Sequence, residues 1–219
     1  MITTVVFDVG ETLIDESRIW LRWAERLGAT PSTLLGVYGA CLSRGQSFSD
    51  ALRLVSPGLD VEAEEARWAV DEPESLRSGF DAADLYSDVL PALAALREAG
   101  LRLVICGNQP PAATPALEAM SLPVDLIRNS AEMGVEKPDP VFFEAVAQMV
   151  EAAPSQIAYV GDRLDNDALP AREAGMTPIF IRRGPLGHLQ AAEAAARGIP
   201  IIDSLMEIRD LIDDVDLLS

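Results

Sequence analysis

The chain has 219 residues, 49% of them hydrophobic, with a net charge of −18 and a sequence pI of about 4.3. That length supports one sizeable core, or one core with a smaller inserted module. The acidic balance repels phosphate backbones and anionic bilayers, so neither nucleic acid nor a membrane surface is an expected partner. The two cysteines, Cys41 and Cys106, make neither a disulfide framework nor a zinc-ligand spacing. Asp8 and Glu11 interrupt the first apolar segment and no basic region precedes it, so no signal peptide is expected and a reducing cytoplasm is the expected location. No apolar run is long enough to span a bilayer.

In chain order, residues 3–9 read as a short, β-branched, buried strand ended by Gly10. From Glu16 to about Phe80 the pattern is helical throughout. Ile19, Trp20, Trp23 and Leu27 recur at helical spacing, Gly28 and Pro31 punctuate, and further helices are predicted from Ser32, from Ser49 and over 61–70. All three tryptophans lie in this block, as packing anchors. From Ser87 strands and helices alternate. Val89, Leu90, Leu93 and Leu96 make a helix face, with Pro91 in its first turn and Gly100 at its end. Strands are predicted over 101–106, 124–127, 157–160, 177–181 and 199–202, and helices over 115–120, 140–150, 164–174 and 188–196. A last helix is capped by Asp203 and carries Leu205, Ile208, Leu211 and Ile212 on one face. This alternation predicts an α/β fold, a doubly wound parallel sheet with helices on both faces. The helical block becomes an insertion after the first strand: residues 1–14 and 85–219 form the core, and 15–84 a small all-α domain.

Ligands of such sheets gather at the carboxyl ends of the strands. The first strand ends in Asp8, and the second in Cys106-Gly107-Asn108. Glu136-Lys137-Pro138-Asp139 follows the third, and Gly161-Asp162 ends the fourth, running on to Asp165, Asn166 and Asp167. Acids, one lysine and a small polar turn would converge on one patch. That set suits a divalent cation and a phosphoryl group: hard oxygen ligands, a cation for the phosphate oxygens and a carboxylate nucleophile. The single histidine, His188, falls away from these ends and reads as surface. Arg182-Arg183 reads as a solvated pair at a strand end, and Asp165 as a helix cap.

The segments DVGETL, LVICGN, EKPDP and GDRLDND, in this order and on these elements, resemble the four motifs of the haloacid dehalogenase superfamily, across essentially the whole chain. The resemblance implies a Rossmann-like core with a helical cap of the type inserted between the first two motifs. It also implies a Mg²⁺-dependent phosphatase of a small phosphorylated metabolite. In that reading Asp8 attacks phosphorus and forms an aspartyl-phosphate, while Asp8, Asp162 and the Gly10 main-chain carbonyl bind the metal. Asp167 binds metal-ligand water or orients Lys137, which holds the nucleophile and the phosphate. Thr12 supports the loop.

Two positions depart from the family pattern. Gly10 stands where phosphatases of the family usually carry a second aspartate as acid/base, and losing such a group costs about 10²–10⁴-fold in rate. A good leaving group, a water or Glu11 would have to compensate. Gly107 stands where Ser or Thr usually contacts the phosphoryl group, leaving a free backbone N–H, with Asn108 and Gln109 as further donors. These glycines leave one rival open, a non-catalytic or regulatory phosphate binder on the same fold. A metal-free carbon–halogen hydrolase using Asp8 is a further rival, and Gly10 and the acidic GDRLDND motif count against it. The substrate and the oligomeric state are not readable from the residues.

Overall fold

The computed structural model describes residues 1–217, with side chains to residue 213, so the last two residues of the expected core segment lie outside the described ones. The chain divides into two compact units, one of Met1–Asp15 and Leu85–Ser219, the other of Glu16–Asp84.

The first unit is built on a six-stranded, wholly parallel sheet: β1 Thr4–Phe7, β2 Arg102–Gly107, β3 Leu126–Asn129, β4 Ile157–Gly161, β5 Thr177–Ile181 and β6 Ile201–Ile202. Their order is β3-β2-β1-β4-β5-β6. β1 and β4 are buried at every residue, which is why they read as unbroken apolar runs rather than alternating ones. The edge strand β3 is less buried and exposes Arg128, as suits an edge that must not pair further.

Alternate residues define the two faces. Val6, Val104, Cys106, Ile157 and Tyr159 pack on one side against Phe142, Phe143 and Val146 of the helix Pro140–Met149. Phe143 and Tyr159 meet edge to face, with centroids 5.3 Å apart. The intervening Val5, Phe7, Leu103, Ile105, Ala158 and Val160 are equally buried, so both faces of the sheet are covered. The predicted α/β architecture is therefore present.

Register decides where the chemistry can sit. Phe7 is level with Ile105 of β2 and with Val160 of β4. One or two residues further on, Asp8, Gly107 and Asp162 emerge together at the carboxyl edge. The strand order reverses between β2-β1 and β4, the switch point where doubly wound sheets hold ligands.

Beyond shifts of about two residues at several element ends, local details differ from the sequence reading. The helix expected over 188–196 starts at Gly184, because Pro185 opens its first turn. The helix expected over 164–174 is split into a π-helical turn, Leu164–Ala168, and the α-helix Leu169–Glu173. Asp203 caps nothing: Ser204 caps the following 3₁₀ turn Leu205–Glu207, and Asp203 pairs with Arg182 at 2.7 Å.

The second unit holds α1 Ser17–Arg26, α2 Pro31–Leu42, α3 Phe48–Val55 and α4 Val61–Asp71. Side-chain caps start three of them. Thr30 accepts from the Thr33 amide and Asp60 from the Ala63 amide, and Ser47 and Asp50 form a reciprocal capping box. The tryptophans are interior, with Trp23 and Trp68 edge to face at 5.3 Å and the Trp23 indole N–H donating to Ser78 Oγ. Among the described residues no helix of either unit is long and apolar enough to cross a membrane.

Candidate active site

The carboxyl edge of the sheet brings Asp8, Lys137, Asp162 and Asp167 together. Lys137 Nζ donates to Asp8 Oδ1 at 2.6 Å and to Asp167 Oδ1 at 2.5 Å, and its side chain is 1% exposed. One carboxylate oxygen each from Asp8, Asp162 and Asp167 lies within 4.8 Å of the others. Lys137 bonds two of these three carboxylates, and Asp162 also lies near enough to the Arg163 guanidinium to favour its charged form. The donors are all hard oxygens, so the set fits a divalent cation such as Mg²⁺.

Electrostatics bind this cluster tightly. Burial opposes the Lys137 charge, but Asp167 and Asp8 outweigh it and hold the ammonium well above its usual range. The Tyr159 ring, 5.4 Å from Nζ, gives it a further electron-rich face. Burial pushes the Asp167 carboxyl up to about 6, with the Lys137 ammonium pulling the other way. Burial likewise pushes the Cys106 thiol up to about 12, so it behaves as a small apolar side chain. Both cysteines are free and buried.

Local backbone explains the placement. The π turn carries Asp167 inward, where its Oδ2 accepts from the Arg163 amide at 3.0 Å; such turns recur at functional sites. Gly161 is required beneath it, since a Cβ there would collide with the Asp167 side chain. At Gly107 a Cβ would meet Asp8 Oδ1, so a side chain there would make the Asp8 carboxylate shift. Asp165 does not cap the helix. It pairs with Arg163 at 2.7 Å and accepts from Gln190 at 3.0 Å.

Asn108 lies at the site but turns to the lysine's own backbone. Its Oδ1 accepts from the Lys137 amide and its Nδ2 donates to the Lys137 carbonyl, both at 2.8 Å. This two-point clamp fixes the residue that bridges the acids, and the Lys137-Pro138 peptide beside it is cis. Thr12 is fully buried, and its Oγ1 has no hydrogen-bond partner among the described residues. Gly10 is partly exposed in the turn after β1. Glu11 is buried, and its Oε2 accepts from the Tyr86 hydroxyl at 2.5 Å.

Arg182 is exposed as read from the sequence, and so is His188, but Arg183 corrects the reading. It is 9% exposed. Its Nη1 donates to the Thr12 carbonyl at 2.8 Å, its Nη2 bonds Asp88, and its guanidinium lies 4.3 Å over the Tyr86 ring. Burial alone would raise Asp88, but the Ser204 hydroxyl, the Leu205 amide and Arg183 together hold its carboxyl below the usual range. No local pattern marked Tyr86, Asp88 or Arg183. The one available signal was an arginine placed directly before Gly184-Pro185 at a strand end.

Residues 2–175 match the family model described as haloacid dehalogenase-like hydrolase. The glyceraldehyde 3-phosphate phosphatase of Methanopyrus kandleri is 40% identical over 110 residues, covering 45% of this chain and 44% of that protein. Chronophin of Bos taurus is 25% identical over 176 residues, 78% of this chain and 58% of its own. The chain thus spans about half the length of these curated relatives. A predicted phosphoglycolate phosphatase from Haemophilus somnus 129PT shares the fold, with a TM-score of 0.66 at 18% identity over 96% of this chain and 98% of that one.

Proposed function

The chain belongs to the haloacid dehalogenase-like hydrolases, and we propose that it is a phosphatase acting on a small phosphorylated metabolite through a phosphoryl group carried on Asp8. The observation that carries this reading is the Lys137 ammonium bonded to both Asp8 and Asp167, with Asp162 in the same carboxylate cluster. The fold alone does not separate attack on phosphorus from attack on carbon. The cluster does favour phosphorus, because three hard carboxylate oxygens within 4.8 Å of one another suit a divalent cation that substitution at carbon does not need. The relatives named as phosphatases of three-carbon sugar phosphates point the same way.

Asp8, Asp162 and the Gly10 carbonyl would hold Mg²⁺, with Asp167 reaching its water or keeping Lys137 in place. When bound there, the ion supplies positive charge for the phosphoryl oxygens. Lys137 occupies Asp8 Oδ1 and leaves the other carboxylate oxygen to attack phosphorus as the P–O bond to the leaving group breaks. The leaving oxygen takes its proton from water. A second water then attacks the phosphorus of the aspartyl-phosphate, releasing orthophosphate and the free carboxylate. Gly107 and the backbone N–H groups beside it offer donors to the phosphoryl oxygens. With no carboxyl at position 10 to protonate the leaving group, good leaving groups are favoured, such as a sugar-1-phosphate, an acyl phosphate or an aryl phosphate. The unit Glu16–Asp84 is read as the cap domain, which selects the substrate.

Hydrolysis of p-nitrophenyl phosphate with Mg²⁺ and with EDTA, beside the Asp8→Asn variant, tests this. Turnover should require both the metal and Asp8. Full activity in a folded Asp8→Asn protein would exclude the mechanism, and no turnover in wild type that still binds Mg²⁺ would favour a phosphate-binding role.

A further inference from the structure

We infer that Arg183, Tyr86 and Glu11 form a positioning unit for the loop that carries the nucleophile; this rests on the phosphatase reading above. The loop folds back immediately after Asp8, with the Val9 carbonyl accepting from the amides of Thr12, Leu13 and Ile14 at 3.3, 2.9 and 3.0 Å. That turn forces Glu11 into the left-handed region, φ 52°, which side chains other than glycine adopt only at a cost. Such a conformation persists where its surroundings over-determine it.

Three contacts do so here. The Tyr86 hydroxyl donates to Glu11 Oε2 at 2.5 Å. Gly184 presses against the Glu11 side chain, and a Cβ at that position would collide with it. Arg183 donates to the Thr12 carbonyl at 2.8 Å, on the residue after Glu11. Arg183 is itself anchored, stacked over Tyr86 and bonded to Asp88, whose Oδ2 also accepts from the Ser204 hydroxyl at 2.7 Å and the Leu205 amide at 2.9 Å. The junction after β5 and the residues leading into the helix Val89–Glu98 therefore meet at the loop and hold it. Glu11 serves as the loop's anchor rather than as the missing acid/base: its carboxylate is buried and already accepts a hydroxyl proton.

A loosened loop misplaces the attacking oxygen, and a shift of about 1 Å at reacting atoms costs about 10²-fold in rate. The test compares Arg183→Met, Arg183→Lys, Tyr86→Phe, Glu11→Gln and the Tyr86→Phe/Glu11→Gln double variant. Each is assayed on p-nitrophenyl phosphate and glycerol phosphate, and hydrogen exchange is followed over residues 9–14. In Arg183→Met, kcat should fall about 10–10²-fold with KM held within about threefold, and Arg183→Lys should recover part of the loss. Amides of Leu13 and Ile14 should exchange faster while those of β4 do not change. Glu11→Gln and Tyr86→Phe should lose the same factor on both esters, and the double variant should be no worse than the worse single one.

Wild-type kcat in a folded Arg183→Met protein, or unaltered exchange over 9–14, would overturn the inference. So would a Glu11→Gln loss confined to the alkyl ester, which would make Glu11 the acid. If Arg183→Met does not fold, Tyr86→Phe removes a single hydroxyl and carries the same comparison. If wild type shows no Asp8-dependent turnover, the phosphatase reading fails, and the exchange comparison still decides the positioning.

Discussion

Replacing Lys137 with Met tests the central electrostatic claim without any reference to substrate. The change keeps an apolar stem and deletes the ammonium that bonds Asp8 at 2.6 Å and Asp167 at 2.5 Å. Both the Lys137 and Asp167 side chains are 1% exposed, so water cannot replace the lost partner. Removing one member of a buried, hydrogen-bonded ion pair costs about 3–5 kcal/mol, mostly the penalty of the charge left behind. At a urea dependence of about 2 kcal/mol/M, the midpoint should fall by about 1.5–2.5 M. Circular dichroism is the right probe, because all three tryptophans lie in the helical unit and their fluorescence does not follow the sheet. Adding Asp167→Asn should recover at least half of the loss, since the more deeply buried of the two carboxylates that Lys137 bonds is then neutral. A midpoint shift below about 0.5 M, or a double variant as unstable as the single, would refute the claim that the lysine offsets buried charge.

Further substitutions probe the surrounding frame. Gly107→Ser puts back the side chain usual in the family, but its Cβ meets Asp8 Oδ1; turnover of p-nitrophenyl phosphate should fall at least about tenfold, with about 1–3 kcal/mol lost in urea. Gly184→Ala combines a φ of 59° with a collision against Glu11, and thermal unfolding should show a loss of more than about 1 kcal/mol. Trp23→Ala empties a site 2% exposed against Trp68 and should cost the helical unit about 3–5 kcal/mol by chemical denaturation. Asp88 gives a pH signature. Its folded carboxyl titrates below the 3.8 of an ordinary aspartate, so its contribution is complete above that value and is lost as pH falls through the folded pKa. The stability gap between wild type and Asp88→Asn should be widest at neutral pH and close below pH 3.8.

Strand and helix periods, read with Gly and Pro punctuation, were enough for the α/β class, because central parallel strands must be apolar on both faces and β1 and β4 are. The same reading set Asp8, Gly107, Lys137 and Asp162 at strand ends, since each directly follows, ends or lies between short apolar runs. Boundaries slipped where a side chain far along the chain decides the local backbone. The π turn exists to seat Asp167 beside Lys137, 30 residues earlier. Asn108 reads from the sequence as a phosphate donor, and only the folded chain adds its two bonds to the Lys137 backbone, 29 residues away. Arg183 looked solvated because charged residues at strand ends usually are. Its partner is the Thr12 carbonyl, 171 residues distant, and no period in a sequence encodes a hydrogen bond to a main-chain oxygen. The residues by themselves determined which chemistry could gather at the edge of the sheet. Tertiary structure alone decided which polar groups face that chemistry and which are spent holding it in place, because a buried polar group must be satisfied by whatever the fold brings near it.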